Sequence, residues 1–181
     1  MSENAWKFVG RSTELEDLRD AVNRGRWFFA KITGRRRIGK TTLVRQALTG
    51  LNRLVLYVQM PESSDAGVLS QVADAMETFG VPADEFPRPR SMSDLAKTIE
   101  AMARAGYVVV LDEFQYLSRK AFTEFCSLLQ AAVDRLAADA TSVSGGLIVL
   151  GSVHAEMTAL LEDRSAPFVQ PRDRLDRTLA P

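Results

Sequence analysis

The sequence predicts an α/β domain in which helices cover both faces of a parallel β-sheet, giving three layers. Strand-like apolar runs alternate with amphipathic helical patterns, which is typical of sheets built from strand–helix–strand units. The runs YVVVL and GLIVLG are apolar at almost every position, as expected for strands that are buried on both faces. A length of 181 residues fits one domain, so we expect a single domain over residues 1–181.

The first part of the chain contains two helical patterns on either side of one strand pattern. Thr13 and Glu16 have the spacing of a capping box, and apolar residues follow at helical intervals, which predicts a helix over 13–24. The short apolar run WFFAKIT predicts the first strand, at 27–33. A second helix is expected over 40–50, because the glycine at its end is a common helix terminator.

The rest of the chain continues this alternation. Further strand patterns lie at 53–59, 107–114 and 146–152, and a short fifth strand is expected in the polar tail, 164–181. Further helical patterns lie at 65–79, 93–105, 120–139 and 157–161. Ser93 is expected to cap the helix that it begins, after a proline-rich loop at 80–93.

Composition narrows the class of protein. Hydrophobic residues make up 46% and charged residues 25% of the chain, the profile of a globular domain. The formal net charge is zero, so the net charge of the chain gives no reason to expect binding to nucleic acid or to an anionic membrane. A single cysteine, Cys126, cannot form an internal disulfide, and the N-terminus lacks the apolar stretch of a secretory signal. We therefore expect a cytoplasmic protein with no membrane partner.

The stretch GRRRIGKT, at 34–41, matches the pattern G-x-x-x-x-G-K-[ST] in full. The two glycines allow the backbone to wrap its N–H groups around a phosphate, and the helix that follows directs its positive end at the same place. The lysine supplies a mobile cation for the β- and γ-phosphates, and the threonine offers a hydroxyl to Mg²⁺. The predicted phosphate-binding residues are Gly34, Arg35, Arg36, Arg37, Ile38, Gly39, Lys40, Thr41 and Thr42.

A second motif follows the buried strand pattern at 107–114. The apolar run places Asp112 at the carboxyl end of that strand, where it can hold Mg²⁺ directly or through water, together with Thr41. The neighbouring Glu113 is predicted to activate an attacking water, which favours hydrolysis over transfer to a small substrate. An Asp-Glu pair at a strand end often only caps the following loop. The pair indicates a catalytic site here because the sequence also contains the phosphate loop.

The two motifs also predict how the sheet is ordered. One strand pattern, 53–59, lies between them in the sequence, as in P-loop ATPases that carry an extra strand between the two motif strands. The predicted fold class is therefore a three-layer αβα P-loop NTPase with a parallel five-stranded sheet in the order 5-1-4-3-2. In such sheets ligands bind beyond the carboxyl ends of the strands.

Two polar residues follow the fourth strand pattern. Ser152 can contact the γ-phosphate or the attacking water as a catalytic residue, or it can cap the next helix, and the sequence supports both readings equally. His154 is the only histidine, and without cysteine or histidine partners it makes no case for a metal site. We expect it to be an exposed helix residue, the alternative being a contact that senses the γ-phosphate.

The segments FVGRSTELEDL, GRRRIGKTTL, LDEFQYL and GSVHAEMTALL together resemble the archaeal-type ATPases of the STAND/AAA+ group. The resemblance implies ATP and Mg²⁺ as ligands, a nucleotide-binding core over 27–163 and an adenine-side segment within 1–24. It places Phe8, Val9, Gly10 and Arg11 near the adenine, although the same residues would also serve as a hydrophobic staple before a capped helix.

The sequence departs from this family at its carboxyl end. Members usually carry a P-L-Y-G-R segment, where this chain has PFVQPR at 167–172, which leaves Arg172 or Arg174 as the γ-phosphate arginine. Members also continue into a helical lid, a winged-helix module and often an effector domain, whereas this sequence ends at Pro181. We interpret it as a fragment or a minimal core.

Three functions remain open on the sequence alone. The first is Mg²⁺-dependent ATP hydrolysis, and the second is a nucleotide-dependent switch or assembly module with little turnover, acting with a homo-oligomer or a partner protein. The third is a DNA-associated ATPase, suggested by the arginines at 35–37 with Arg88 and Arg90. A basic cluster in a neutral chain is more often a solvated surface, and side chains at the variable loop positions generally point away from the phosphates.

Overall fold

We describe the fold from a computed structural model, which describes residues 11–117, 120–152 and 174–179. Its five strands form one sheet in which every pairing is parallel. They are β1 Phe28–Gly34, β2 Val55–Gln59, β3 Val108–Asp112, β4 Gly146–Gly151 and β5 Arg174–Leu179. Their order is β5-β1-β4-β3-β2, so the order predicted from the two motifs is confirmed, and so is the fifth strand in the tail.

The strand register brings the predicted motifs together at the carboxyl ends of the strands. Thr33 of β1 pairs with Gly151 of β4, and Gln59 of β2 pairs with Asp112 of β3. β4 lies between β1 and β3, so the strand that leads into the phosphate loop and the strand that ends in Asp112 are separated by one strand. The carboxyl ends of β1, β3 and β4 are therefore neighbours, which is where a ligand binds in such a sheet.

The helices agree with the sequence patterns to within a few residues. They are α1 Ser12–Asn23, α2 Lys40–Leu48, α3 Asp65–Thr78, α4 Met92–Arg104 and α5 Thr123–Ala138, with short 3₁₀ turns at Phe114–Leu117 and Lys120–Phe122. The helix predicted at 120–139 thus begins with one of these 3₁₀ turns. The helix predicted at 157–161 lies outside the described residues.

Two predicted helix caps are wrong. The capping box of Thr13 and Glu16 does not form, because α1 begins at Ser12 and Arg11 occupies its cap position, where its side chain makes no capping hydrogen bond. The cap of α4 is Ser91 instead of Ser93, and its side chain accepts a hydrogen bond from the Asp94 N–H at 3.0 Å. Both errors arose because several polar residues adjoin each helix start, and spacing alone does not select among them.

The sheet separates two hydrophobic cores. Residues of α3, α4 and α5 pack on one face, against alternate side chains such as Val109 of β3 and Val149 of β4. Residues of α1 and α2 pack on the other face, against Val108, Val110 and Ile148. The continuous apolar runs of β3 and β4 are thus explained by burial on both faces, and the predicted three-layer arrangement is confirmed.

An ion-pair network joins α4 to α5 on the outer surface. Glu100 accepts hydrogen bonds from Arg135, the shortest at 2.6 Å, and from Arg104 at 3.1 Å. Arg104 also contacts Asp139 at 2.9 Å. The hydrogen bonds from Arg135, together with those from Arg104, hold the pKa of Glu100 below its ordinary value despite partial burial. Among the described residues, no helix has the length and apolar character needed to cross a membrane.

Candidate nucleotide-binding site

The predicted phosphate loop connects β1 to α2 and adopts conformations that favour glycine. Gly39 has φ +89° and immediately precedes α2. Gly34 has φ +157°, and a Cβ atom there would lie 3.0 Å from the carbonyl oxygen of Leu179 on β5. The close packing of β5 against the start of the loop therefore favours a glycine at this position.

The loop ends at the amino end of α2, which is the part of a helix that attracts anions. The first N–H groups of a helix have no partner within the helix, and the helix dipole is positive there. Arg37, inside the loop, has φ +61°, a left-handed conformation that is uncommon for residues with a side chain. Such backbone is often found where a structure holds a loop ready for a ligand.

Lys40 spans the mouth of this loop. Its ammonium donates to the carbonyl oxygens of Gly34 at 2.8 Å and Arg35 at 2.9 Å. An ammonium group has three donors, so these two bonds hold the charge over the loop and a third can go to a bound oxygen. Burial lowers the pKa of Lys40, an effect that the nearby charges of Glu113 and Asp112 oppose.

Asp112 lies at the end of β3 and is held by three neutral donors. The hydroxyl of Thr41 donates to Oδ2 at 2.8 Å, and the phenol of Tyr57 donates to the same oxygen at 2.5 Å. The N–H of Glu113 donates to Oδ1 at 2.8 Å. The side chain is nearly inaccessible, with 4% exposure for the whole residue. Burial, and then the contact with Asp112, raise the pKa of Tyr57 far above its ordinary value.

These oxygens fit a magnesium site. A threonine hydroxyl that donates its proton to Asp112 keeps its lone pairs for another partner, and Mg²⁺ prefers hydroxyl, carboxylate and water oxygens. In the described part of the chain, no group of three or more His, Cys, Asp and Glu residues could hold a metal on its own. The donor set therefore suits an ion bound through one or two protein oxygens, its remaining positions being filled by water and substrate phosphate.

Glu113 follows Asp112 in a left-handed conformation, with φ +56°. Its carboxylate accepts a hydrogen bond from the amide nitrogen of Gln115. The amide oxygen of Gln115 in turn accepts the N–H of Ser152 at 3.1 Å. Gln115 is buried, so it forms a fixed link between Glu113 and the residue that follows β4.

The structure brings most of the predicted residues together. Arg35, Arg36 and Arg37 are exposed, as is Thr42, while Ile38 is partly buried against the α1–α2 core. Arg36 reaches across the loop to the hydroxyl of Tyr116 at 2.7 Å.

Other predictions fall at or beyond the edge of the described residues. Arg11 lies close enough to Lys40 for its charge to help lower the pKa of that lysine. Phe8, Val9, Gly10, His154 and Arg172 lie outside the described residues. The backbone of Arg174 pairs with Phe29, at the opposite end of β1 from the loop, which argues against a contact of this arginine with the γ-phosphate in the same chain.

Two residues of the site were not predicted from the sequence, Tyr57 and Gln115. The order of the sheet could have indicated Tyr57, because β2 was placed beside β3 and alternate residues of a strand share a face. Gln115 follows Glu113 by two residues, so the sequence indicates that these two residues are close together. It does not indicate the hydrogen bond between Gln115 and Ser152. Both contacts depend on how separate strands are arranged in space.

The fold and this site define a P-loop ATPase. Residues 8–169 match the family of ATPase domains that are found predominantly in Archaea. The chain belongs to that family. No curated protein sequence matches the chain.

Solved structures share the fold at low sequence identity. The Walker-type ATPase of Pyrococcus abyssi is 17% identical with a TM-score of 0.65, over 96% of this chain and 55% of that one. The Cdc6 protein of Pyrobaculum aerophilum is 18% identical with a TM-score of 0.58, over 97% and 47%. The ORC2 protein of Aeropyrum pernix, in ADPNP–ADP complexes, is 22% identical with a TM-score of 0.59, over 91% and 47%. The chain thus spans about half the length of these structures.

Proposed function

We propose that this domain binds ATP together with Mg²⁺ and hydrolyses the bond to the terminal phosphate. The observation that carries this proposal is the hydrogen bond from Thr41 to Asp112. It joins the first turn of α2 to the end of β3, so that a phosphate-binding helix and a metal-binding carboxylate meet at one point. The membership of an ATPase family supports the same conclusion.

Nucleotide binding is assigned to the loop and its flanks. The backbone N–H groups of the loop, from Gly34 to Thr42, surround the phosphates, and the positive end of α2 favours their charge. Lys40 already bonds two loop carbonyls, and its third N–H donates a hydrogen bond to the β- or γ-phosphate. Arg11, with Phe8, Val9 and Gly10 before it, is assigned to the adenine side.

The metal is assigned to Thr41 and Asp112. Held by these two residues, Mg²⁺ would supply the positive charge that neutralises the phosphate oxygens. Asp112 remains available to it because its own hydrogen bonds come from neutral groups, which fix its orientation without forming an ion pair with it.

Glu113 is assigned to the attacking water. The water oxygen bonds to the γ-phosphorus, the bond from that phosphorus to the oxygen bridging to the β-phosphate breaks, and the water proton passes to the Glu113 carboxylate. The products are ADP and inorganic phosphate. Gln115 keeps the carboxylate in place through its link to Ser152, and Ser152 is placed beside the γ-phosphate.

ATP turnover with and without Mg²⁺ tests the proposal directly. The wild type should hydrolyse ATP only with the metal, and Glu113→Gln should lower turnover on the order of 100-fold, the range for loss of a general base, while binding nucleotide normally. Glu124→Gln, at an exposed position on α5, is the matched control. Equal hydrolysis by the wild type and Glu113→Gln would reject the assignment of this chain as an ATP hydrolase.

One observation favours a second function, that of a nucleotide-dependent switch with little turnover. The Gln115 amide donates to the same carboxylate that would accept the water proton, which would restrain Glu113 if the bond persists with ATP bound. The two functions predict opposite effects of removing the Gln115 amide. Turnover would fall if Gln115 aligns Glu113, and it would rise if Gln115 restrains it.

A further inference from the structure

Tyr57 lies on β2, at the edge of the sheet, beside the strand that carries Asp112. The register pairs Tyr57 with Val110 and Gln59 with Asp112. Val110 belongs to the core on the α1–α2 side of the sheet, and Tyr57 packs against the same core. Because neighbouring strands place diagonal side chains within reach of each other, the long phenol side chain can extend to the carboxylate two residues further along β3.

The phenol shares its acceptor atom with the phosphate-loop helix. Oδ2 of Asp112 accepts the Tyr57 hydroxyl at 2.5 Å and the Thr41 hydroxyl at 2.8 Å, while Oδ1 accepts the Glu113 N–H at 2.8 Å. A carboxylate that accepts three donors on two oxygens cannot rotate without breaking at least one bond. Tyr57 provides the donor that comes from the edge of the sheet.

The ring of Tyr57 is itself supported by the helix that carries Thr41. The guanidinium of Arg45 lies 5.3 Å from the centroid of the ring, within the distance for a cation–π contact. Arg45 follows Thr41 by four residues on α2, which places both on the same face of that helix. One face of α2 thus contacts two parts of the site. Arg45 contacts the ring of Tyr57, and Thr41 bonds the Asp112 carboxylate that the Tyr57 hydroxyl also bonds.

We propose that Tyr57 is a positioning residue for magnesium in this site, holding Asp112 in the orientation that the metal requires. The inference rests on the proposed function, because it assumes that Asp112 and Thr41 hold the ion. Donors that fix a metal-holding side chain typically change metal affinity or activity by about 10- to 100-fold when they are removed. Tyr57 would therefore affect the metal without contacting the nucleotide.

Magnesium titration of the protein–ADP complex tests this role. Tyr57→Phe removes the hydroxyl but keeps the ring and its contact with Arg45, so the fold should be retained. We expect Mg²⁺ to bind about tenfold more weakly to the complex of this variant, with ADP affinity in EDTA within about twofold of wild type. Tyr107→Phe is the matched control, since Tyr107 is a buried tyrosine that packs edge-on against Phe86, and it should behave as wild type.

Two results would overturn the inference while leaving the proposed function intact. One is Mg²⁺ affinity in Tyr57→Phe equal to that of wild type. The other is an equal loss of ADP affinity with and without metal, which would indicate a general structural effect. If ADP binding by the wild type did not respond to Mg²⁺ at all, the assignment of the metal to Thr41 and Asp112 would fail as well. Thermal unfolding of the wild type and both variants without metal shows whether either substitution lowers the stability of the fold.

Discussion

Two buried or partly buried acids in this domain, Glu100 and Asp112, have different kinds of partner. Glu100, on α4, accepts hydrogen bonds from the guanidinium groups of Arg104 and Arg135. Asp112, at the end of β3, accepts them from two hydroxyl groups and one backbone N–H. Within the described part of the chain, Glu100 forms ion pairs with two arginines, whereas the groups that donate hydrogen bonds to Asp112 are all neutral.

Under the proposed function, this difference separates an acid that joins two helices, Glu100, from an acid that binds a metal ion, Asp112. Arginine partners neutralise a carboxylate, so it no longer attracts a further cation strongly. Neutral donors fix its geometry and leave its charge in place, which is what a magnesium ligand needs. Lys40 fits the same interpretation, because its hydrogen bonds go to loop carbonyls although Asp112 and Glu113 are close enough to raise its pKa.

The largest effect is expected from removing Lys40. If this cation serves the ligand and does not compensate the acids, Lys40→Ala should weaken ATP binding on the order of 100-fold, because a charge-assisted bond contributes roughly 3 kcal/mol. The free energy of unfolding should change by no more than about 1 kcal/mol. Calorimetric titration and urea unfolding measure the two quantities, with Lys97→Ala on the exposed surface of α4 as the control. A large loss of stability with normal ATP binding would make Lys40 a structural partner of the acids.

A smaller effect is expected from cutting the link between Glu113 and Ser152. Gln115→Met should lower kcat about tenfold, as is typical for loss of a residue that orients another, with little change in ATP affinity. Gln130→Met is a matched control, since Gln130 bonds Asp134 within α5, at 2.9 Å. A rise in kcat would instead favour the switch function, and an unchanged kcat would mean that the link has no role in turnover.

The ion pairs of Glu100 should contribute modestly to stability. Arg135 is 55% exposed and Arg104 is 40% exposed, so Glu100→Gln should cost about 0.5–1 kcal/mol at pH 7. Because the folded-state pKa of Glu100 is lowered, its contribution is present above the ordinary glutamate pKa of about 4.3. It disappears as the pH falls through the lowered value. Urea unfolding of the variant and wild type at pH 7 and pH 3 measures the difference, and a difference that persisted unchanged at pH 3 would contradict the ionic origin.

The smallest effect on nucleotide binding is expected from the three loop arginines. They are exposed, and Arg36 contacts Tyr116 of the same chain, so replacing Arg35, Arg36 and Arg37 with alanine should leave ATP affinity within about twofold. Calorimetric titration checks this. A DNA-binding titration at several salt concentrations on the same variant tests the third function. Loss of a salt-dependent affinity would support phosphate contacts by these arginines, and loss of ATP binding would show that they belong to the phosphate site.

The sequence predicted the parts of this domain that depend on local pattern or on a fixed motif. The positions of Lys40, Thr41 and Asp112 followed from alternating apolar runs and motif spacing, and the strand order followed from P-loop ATPases that carry an extra strand between the two motif strands. The bond of Tyr57 to Asp112 and the bond of Gln115 to Ser152 were not predicted, because each joins groups on different strands or loops through atomic distances that no spacing encodes. The helix caps failed for a related reason, since neighbouring polar residues compete for the same backbone groups.

The order of the strands also determines how much of the chain must be synthesised before the site residues can come together. β1, which leads into the phosphate loop, pairs with β4 and β5, and more than half of the chain lies between it and either partner. Contacts between such distant segments carry a high entropic cost and form slowly. Since synthesis proceeds from the N-terminus, a nascent chain that has not yet reached β4 contains Gly34, Lys40 and Asp112 but lacks the strand that brings them together. Under the proposed function, ATP can therefore bind and stabilise only a chain whose synthesis has passed β4, which ends at Gly151.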